Sequence, residues 1–215
     1  MISHKYRCIF IHIPKCAGTS IEKSLGGQDH RTIRMIAPIN IKAFLKKENI
    51  IELLRRLKYK YIITVSNPKN KITVTKKQYN SYFKFTFIRN PWARAFSWYK
   101  NVMRDEIHRK SYGITKQISL KEFLRLYAGK GMLRPQLYWI KDFNGNIPLD
   151  YIGRFENLAE DFKKIYKELN LSNITLPHML KGCGEDYRKY YDDESQEIIM
   201  QHYKEEIQMF EYKFD

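Results

Sequence analysis

Two short segments, far apart in the 215-residue chain, combine residue types that bind anions. The first, residues 14–20, reads Pro-Lys-Cys-Ala-Gly-Thr-Ser and follows the apolar run of residues 8–13. Such a run predicts a buried strand, and Thr19 or Ser20 is predicted to cap the helix that follows. A loop between a strand and a helix N-terminus presents unpaired N–H groups to one point, and Lys15 adds a full positive charge there. The sequence therefore predicts a site for a phosphate-like anion.

This loop differs from the common nucleoside-triphosphate loop, in which the lysine follows the second glycine. Here Lys15 precedes Gly18, the only glycine of the loop, by three residues. Gly18 is predicted to supply a backbone conformation that other residues resist. An ordinary strand–turn–helix corner with a solvated lysine is the alternative for this segment taken alone.

The second segment starts with a strand-like run, residues 83–88, and continues into Arg89, Asn90 and Pro91. Asn90 is predicted to cap a helix, with Pro91 in its first position. Arg89 then lies at the carboxyl edge of the sheet, where α/β proteins bind ligands, and Ser97 lies about two turns into the helix. The structural alternatives are an ion pair for Arg89 and a bond to a neighbouring carbonyl for Ser97.

Strand-like runs alternate with helical patterns, which predicts an α/β fold with a three-layer, mainly parallel sheet. One domain, residues 1–215, is predicted, with residues 40–80 as a basic helix-hairpin insertion and a candidate acceptor-binding element. The other predicted elements are a helix over 40–61, a hairpin over 61–75, a helix over 120–128 with a Ser119–Glu122 capping box, a strand over 151–155, a helix over 158–169 capped by Asn157, and a helix over 193–210.

The net charge of +16 is concentrated in the first half of the chain. Residues 1–110 hold 24 Lys and Arg against 6 Asp and Glu, whereas residues 111–215 hold 15 against 17. A field of this sign suits an anionic ligand, an acidic polymer or nucleic acid, and a solvated basic surface without a partner is the alternative.

The composition also bears on where in the cell the protein is expected to be found. No apolar run reaches the roughly 20 residues that span a bilayer, so no transmembrane segment is expected, while peripheral association with a membrane stays open. Residues 8–13 are predicted to be a core strand and not part of a signal peptide. Three cysteines without C-x-x-C spacing argue against a disulfide framework or a zinc site, and they fit a reducing, cytoplasmic compartment.

Together the two loops resemble those of the sulfotransferase family, in particular its carbohydrate-directed, bacterial-type family 2 branch. That branch has P-K-x-[AG]-[GT]-T-S after its first strand and R-[ND]-P-x-x-R…S after a later one. The Arg-to-Ser spacing in the family is eight, as from Arg89 to Ser97. Further matches are residues 153–158, 176–178, 187–191 and 210–214, so that the resemblance covers most of the chain apart from about residues 40–80.

The resemblance implies a P-loop-like phosphosulfate-binding loop and the donor 3′-phosphoadenosine 5′-phosphosulfate. No metal is expected, because Lys15, Arg89 and the N–H groups of the loop supply the positive charge. Residue by residue, it implies that Lys15 and the N–H groups of Gly18, Thr19 and Ser20 hold the 5′-phosphosulfate.

The resemblance assigns the other end of the donor to later segments. Arg89 and Ser97 would hold the 3′-phosphate, and a guanidinium beside a hydroxyl is a good phosphate clamp. Phe155 aligns with an aromatic position that contacts adenine in relatives. The basic stretch of residues 181–189, which includes Arg188, is expected to close over the nucleotide. The family's adenine-stacking tryptophan after the first loop is replaced here by Ile21.

A general base would assist transfer, and His30 resembles a histidine that recurs near the loop in the bacterial branch. A surface or structural role is its alternative, and His178 or a carboxylate is the other candidate base. His12 lies in the first strand and is interpreted as a hydrogen-bonded core residue.

The sequence therefore favours an O-sulfotransferase that acts on a glycan, polysaccharide or glycolipid acceptor of anionic or neutral character. A kinase-like nucleotide-binding enzyme is the second hypothesis, and the displaced lysine argues against it. A basic nucleic-acid-binding protein is the third, and no nucleic-acid motif supports it, so nucleic acid is not expected as a partner.

Overall fold

A computed structural model of the chain describes residues 1–27, 29–38, 47–58, 72–171 and 185–214. Its sheet has four strands, in the order β1 (Ile2–Ser3), β2 (Cys8–Ile11), β3 (Phe83–Ile88) and β4 (Tyr151–Arg154). β1 runs antiparallel to β2, whereas β2, β3 and β4 pair in parallel. The predicted mainly parallel sheet is therefore confirmed, and the three-layer arrangement and the P-loop-like loop stay predictions.

The central strands are apolar because parallel strands are covered on both faces. All four residues of β2 are buried, and the rings of Phe10 and Phe85 lie 5.1 Å apart on neighbouring strands. Gly153 of β4 stands opposite Phe87 of β3, and a Cβ atom at Gly153 would lie 2.5 Å from the Phe87 ring. This glycine is therefore required by packing and not by backbone torsion.

Ten α-helices lie among the described residues, and three single 3₁₀ turns lie at 131–133, 155–157 and 187–190. The helices are α1 (Gly18–Ser24), α2 (Ile33–Ile36), α3 (Lys47–Lys58), α4 (Lys76–Ser81), α5 (Pro91–Met103), α6 (Glu106–Ser111), α7 (Leu120–Tyr127), α8 (Leu137–Ile140), α9 (Leu158–Glu168) and α10 (Asp193–Met209). In the part of the chain that the structure describes, no helix is both long and apolar enough to cross a membrane.

Two predicted helix starts are confirmed. The Asn90 side chain accepts hydrogen bonds from the N–H groups of Trp92, at 3.1 Å, and Ala93, at 3.4 Å, with Pro91 in the first position of α5. The capping box of Ser119 with Glu122 is present at the start of α7.

Other predicted elements differ from the structure. Asn157 precedes α9 but its side chain makes no capping bond. Residues 72–75 form no strand, because Thr75 instead caps α4 in a box with Gln78, so the second strand of the predicted hairpin is wrong there. The first strand of that hairpin lies outside the described residues, as does the part of the predicted 40–61 helix on either side of α3.

The chain divides into two compact units, each taken over its described residues. The first unit comprises Met1–Ile13, Ala17–Ile88 and Leu137–Met179, and it contains the sheet. The second comprises Pro14–Cys16, Arg89–Gln136 and Leu180–Asp215. Its own core is aromatic: Phe123 is fully buried, and its ring lies 5.6 Å from that of Tyr99. The predicted single domain and the role of residues 40–80 as an insertion stay predictions.

Candidate functional site

The loop that carries Lys15 turns through two left-handed residues. Lys15 has φ 69° and Ala17 has φ 62°, a conformation that is unfavourable for residues other than glycine. Ala17 occupies the N-cap position of α1 without a side-chain bond, so Thr19 and Ser20 lie inside the helix and the prediction that either caps it is wrong. Gly18 was expected to supply a conformation that other residues resist, but it is the first helical residue, and the left-handed conformations occur at Lys15 and Ala17 instead.

A buried arginine holds this strained loop. Arg94, on α5, is 1% exposed, and its Nε donates to the carbonyl of Pro14 at 3.1 Å. Its two terminal nitrogens donate to the carbonyls of Met132, at 2.7 Å, and Arg134, at 3.0 Å. A planar guanidinium with five donors suits this task. In the sequence, Arg94 stands out only as one arginine of the family pattern, and nothing there indicates that it holds the loop.

Arg89 is fixed at its backbone by one amide side chain. Gln136, which is fully buried, accepts the Arg89 N–H at Oε1 and donates from Nε2 to the Arg89 carbonyl, both at 2.8 Å. Nε2 of Gln136 also donates to the buried carboxylate of Glu206 at 3.0 Å. With its backbone held, the half-buried Arg89 donates from Nη1 to the carbonyl of Lys15 at 3.2 Å. We call Lys15, Arg89, Arg94 and Gln136 the Lys15–Arg89 cluster; it lies wholly in the second unit.

The ammonium of Lys15 lies against an aromatic face. Its Nζ is 5.9 Å from the centre of the Trp98 ring, within the range of a cation–π contact. Trp98 is the neighbour of Ser97 on α5, and Ser97 is half-buried. The structure therefore brings the predicted Lys15, Arg89 and the Ser97-bearing helix into one unit. Arg188 belongs to the same unit but lies exposed in the 187–190 turn, where its Nε donates to Asp186 at 2.7 Å.

The remaining predicted anion-binding residues lie in the first unit. The N–H of Ser20 donates to the carbonyl of Ala17 at 3.0 Å, whereas those of Gly18 and Thr19 make no backbone bond among the described residues. Thr19 is exposed and Ser20 is buried. Phe155 is half-exposed in the 155–157 turn directly after β4. His178 and the start of the 181–189 stretch lie outside the described residues.

His12, Glu22 and His30 of the first unit form a second cluster, here called the His12–Glu22–His30 cluster. His12 is 5% and Glu22 is 2% exposed, and Nδ1 of His12 lies 3.0 Å from Oε2 of Glu22. That contact lacks hydrogen-bond geometry, so the buried Nδ1 makes no hydrogen bond to any residue that the structure describes. His12 is thus a core residue, as predicted, but the predicted hydrogen bond is missing at Nδ1. The exposed His30 places its ring centre 4.4 Å from that of His12.

The environment of His30 favours its neutral form. The pKa of His30 is lowered below its ordinary value. Partial burial of the ring is the largest cause and repulsion from His12 is the next, whereas Glu22 and Asp29 act in the opposite direction. A neutral imidazole can accept a proton at neutral pH.

The same cluster has the spacing of metal ligands. One possible ligand atom from each of His12, Glu22 and His30 lies within 4.8 Å of the others. This group is not evident from the sequence, because Glu22 sits on a short helix where a carboxylate is usually solvated. It lies 10 residues after His12 and 8 residues before His30, a spacing that matches no common metal-binding motif.

The His12 ring leaves no space for a side chain at position 18, so replacing Gly18 is expected to destabilise the protein. A Cβ atom at Gly18 would lie 2.2 Å from Cδ2 and 2.3 Å from Nε2 of His12. Because His12 is buried, Gly18→Ala is expected to lower the free energy of unfolding by about 1–3 kcal/mol, the usual effect of overpacking. Urea unfolding followed by circular dichroism measures this change. Thr19→Ala, at the exposed next position, is the control and is expected to change stability by less than about 0.5 kcal/mol; equal effects would contradict the packing argument.

Comparison with known proteins points to one family. A family model described as "Sulfotransferase family" matches residues 1–213. A curated protein of Archaeoglobus fulgidus, described as an uncharacterized protein, is 29% identical over 116 residues, which cover 54% of this chain and 91% of the relative. No solved structure gives a significant match.

Proposed function

The chain belongs to the sulfotransferase family, and on that premise we propose that it transfers a sulfonate group from 3′-phosphoadenosine 5′-phosphosulfate to a hydroxyl of a carbohydrate or glycolipid. The observation that carries this proposal is the 3.2 Å hydrogen bond from the Arg89 guanidinium to the Lys15 carbonyl. It joins two cationic residues that are 74 positions apart in the chain. A ligand with two anionic groups is the kind of molecule that such a pair suits.

The Lys15–Arg89 cluster has the chemistry to hold this donor. We assign Lys15 to the phosphosulfate end, supported by its flexible ammonium and the left-handed backbone that presents it. Arg89 and Ser97 are assigned to the 3′-phosphate, since a planar guanidinium binds phosphate oxygens in pairs and a hydroxyl adds a further donor. The N–H groups of Gly18 and Thr19, which make no backbone bond among the described residues, are further candidate donors to the phosphosulfate.

When bound, the donor supplies an activated sulfur: the acceptor oxygen bonds to it while the bridging S–O bond breaks and adenosine 3′,5′-bisphosphate leaves. Lys15 neutralises the negative charge that grows on the bridging oxygen. His30 takes the acceptor's hydroxyl proton on a ring nitrogen, as its neutral form allows. The remaining work of the protein is positioning, because an in-line displacement gains most from fixed geometry.

An acceptor panel tests the proposal. Purified protein would be given sulfur-labelled donor with acidic and neutral oligosaccharides and glycolipids, and labelled product would be separated from unused donor. Transfer to at least one acceptor class is expected, with a preference for acidic acceptors because the net charge is +16. A parallel calorimetric titration without Mg²⁺ should show the sulfate donor binding more tightly than ATP. Tighter binding of ATP, together with no transfer to any acceptor, would overturn the proposal in favour of a nucleotide-dependent kinase-like enzyme.

Arg89→Ala is expected to weaken donor binding more than it slows transfer. Loss of hydrogen bonds to a charged group costs about 1.5–3 kcal/mol, so the donor Kd should rise roughly 10- to 100-fold, while kcat at saturating donor changes much less. Calorimetry gives Kd and the labelled-donor assay gives kcat.

The matched control is Arg125→Ala, another arginine of the second unit, which is 54% exposed and pairs with Glu194 at the surface. It should leave the donor Kd unchanged. Thermal unfolding of both variants checks that the loss of the Arg89 bond to Lys15 has not unfolded the protein. An unchanged donor Kd in Arg89→Ala would remove Arg89 from the donor site.

A further inference from the structure

The His12–Glu22–His30 cluster contains a buried nitrogen that hydrogen bonding does not account for. Nδ1 of His12 is buried, lies 3.0 Å from Oε2 of Glu22, and makes no hydrogen bond within the described part of the chain. A buried polar atom that makes no hydrogen bond destabilises the folded protein. An ion at the centre of the cluster would accept the lone pair of Nδ1, which makes no hydrogen bond, and would balance the charge of the buried carboxylate.

The carboxylate is oriented by a contact outside the cluster. Oε1 of Glu22 accepts the backbone N–H of Asp29 at 2.8 Å, which leaves Oε2 directed towards His12. Such outer contacts fix the ligands of a metal and raise their affinity.

The segment that carries His30 is also anchored. Asp29 and Arg31, on either side of His30, form a buried ion pair with a 2.6 Å contact from Nη2 of Arg31 to Oδ2 of Asp29. The residues on both sides of His30 are therefore fixed, whereas His30 itself is exposed.

The donor set selects a class of ion. Two imidazoles and one carboxylate suit Zn²⁺ and Co²⁺, whereas Mg²⁺ and Ca²⁺ prefer oxygen ligands. We infer that His12, Glu22 and His30 bind one divalent transition-metal ion of the Zn²⁺ class, and that this ion inhibits sulfonate transfer. His30 is the exposed member of the three, which gives the ion access from solvent.

Inhibition follows from the lone pair that a metal takes. His30 accepts a proton through a ring-nitrogen lone pair, and the same lone pair is used to coordinate the ion, so His30 cannot serve as the base while the ion is bound. This second part rests on the proposed function, whereas metal binding itself does not.

Metal binding is tested without donor or acceptor. Chelator-treated, tag-free protein would be titrated with Co²⁺, followed by its visible absorption, and with Zn²⁺, followed by calorimetry. One ion per chain is expected. Glu22→Gln and His30→Gln should each weaken binding at least about 100-fold, the upper end of what loss of an orienting neighbour costs. His30→Gln is an exposed change, so it tests the site even if Glu22→Gln fails to fold.

The control is His108→Gln. His108 lies 2.9 Å from Asp105 in a surface histidine–carboxylate pair, and its loss should leave the stoichiometry and affinity unchanged. The absence of saturable binding at one ion per chain, or binding that survives both cluster variants, would overturn the metal site.

If the protein transfers sulfonate, Zn²⁺ should inhibit the transfer, with half-maximal inhibition at the dissociation constant that calorimetry gives for Zn²⁺. A chelator should restore the rate. Activity that persists at saturating Zn²⁺ would overturn the inhibitory role. A protein that binds Zn²⁺ but transfers no sulfonate would instead refute only the proposed function.

Discussion

Lys15→Ala is expected to reduce sulfonate transfer about 100- to 1,000-fold, the effect of removing one charge-stabilising donor from the site of a transition state. The physical reason is that the bridging oxygen of the donor becomes more negative as the S–O bond breaks. Lys15 is the flexible cation that the strained loop presents, with φ 69° at its own backbone. The change should appear chiefly in kcat, because this interaction strengthens as the charge develops. The labelled-donor assay at saturating donor measures it.

Two further variants sharpen this prediction. Lys15→Arg keeps the charge but alters its reach and shape, so it should recover only part of the lost rate. Lys77→Ala, at an exposed position on α4, removes one lysine from the basic half of the chain and controls for net charge. If Lys77→Ala slowed transfer as much as Lys15→Ala, the effect would come from the overall field of the protein. A fully active Lys15→Ala enzyme would rule Lys15 out of catalysis.

The elements that position these residues were predictable from sequence where local signals are strong. The sequence predicts β3 with its observed bounds because five of the six residues before Arg89 are apolar or β-branched, Lys84 being the exception. The start of α5 followed from the Asn90–Pro91 pair, which combines a capping side chain with a residue that lacks an N–H. Lys15 and Arg89 both follow strands that proved to pair in parallel, as the alternation of strands and helices had indicated.

Features that depend on distant contacts were not predictable. Nothing in the sequence indicates a left-handed backbone at Ala17. That conformation occurs in a loop whose Pro14 carbonyl accepts a hydrogen bond from the buried Arg94. Gln136 belongs to no recognised pattern, yet it binds both backbone groups of Arg89. The sequence also gives no sign that Glu22 is buried, since a glutamate on a seven-residue helix normally faces water.

His30→Ala is expected to lower kcat on the order of 100-fold, the lower range of what a positioned general base contributes. The donor Kd should stay unchanged, because this role involves the acceptor hydroxyl and not the donor's anionic groups. Folding should be retained, since His30 is exposed and makes no hydrogen bond among the described residues. Steady-state kinetics with saturating donor, together with calorimetry of donor binding, separate the two effects.

Chemical rescue distinguishes a base from a structural residue at position 30. Imidazole added to the buffer should restore part of the rate of His30→Ala, because a small base can occupy the space that the ring leaves, and it should have no effect on the wild type. His202→Ala, another exposed histidine, should keep the full rate without imidazole. A near-normal rate in His30→Ala would exclude it as the base. A slow variant that imidazole does not rescue, with a lowered melting temperature, would instead indicate that the ring supports His12 by packing, since the two ring centres are only 4.4 Å apart.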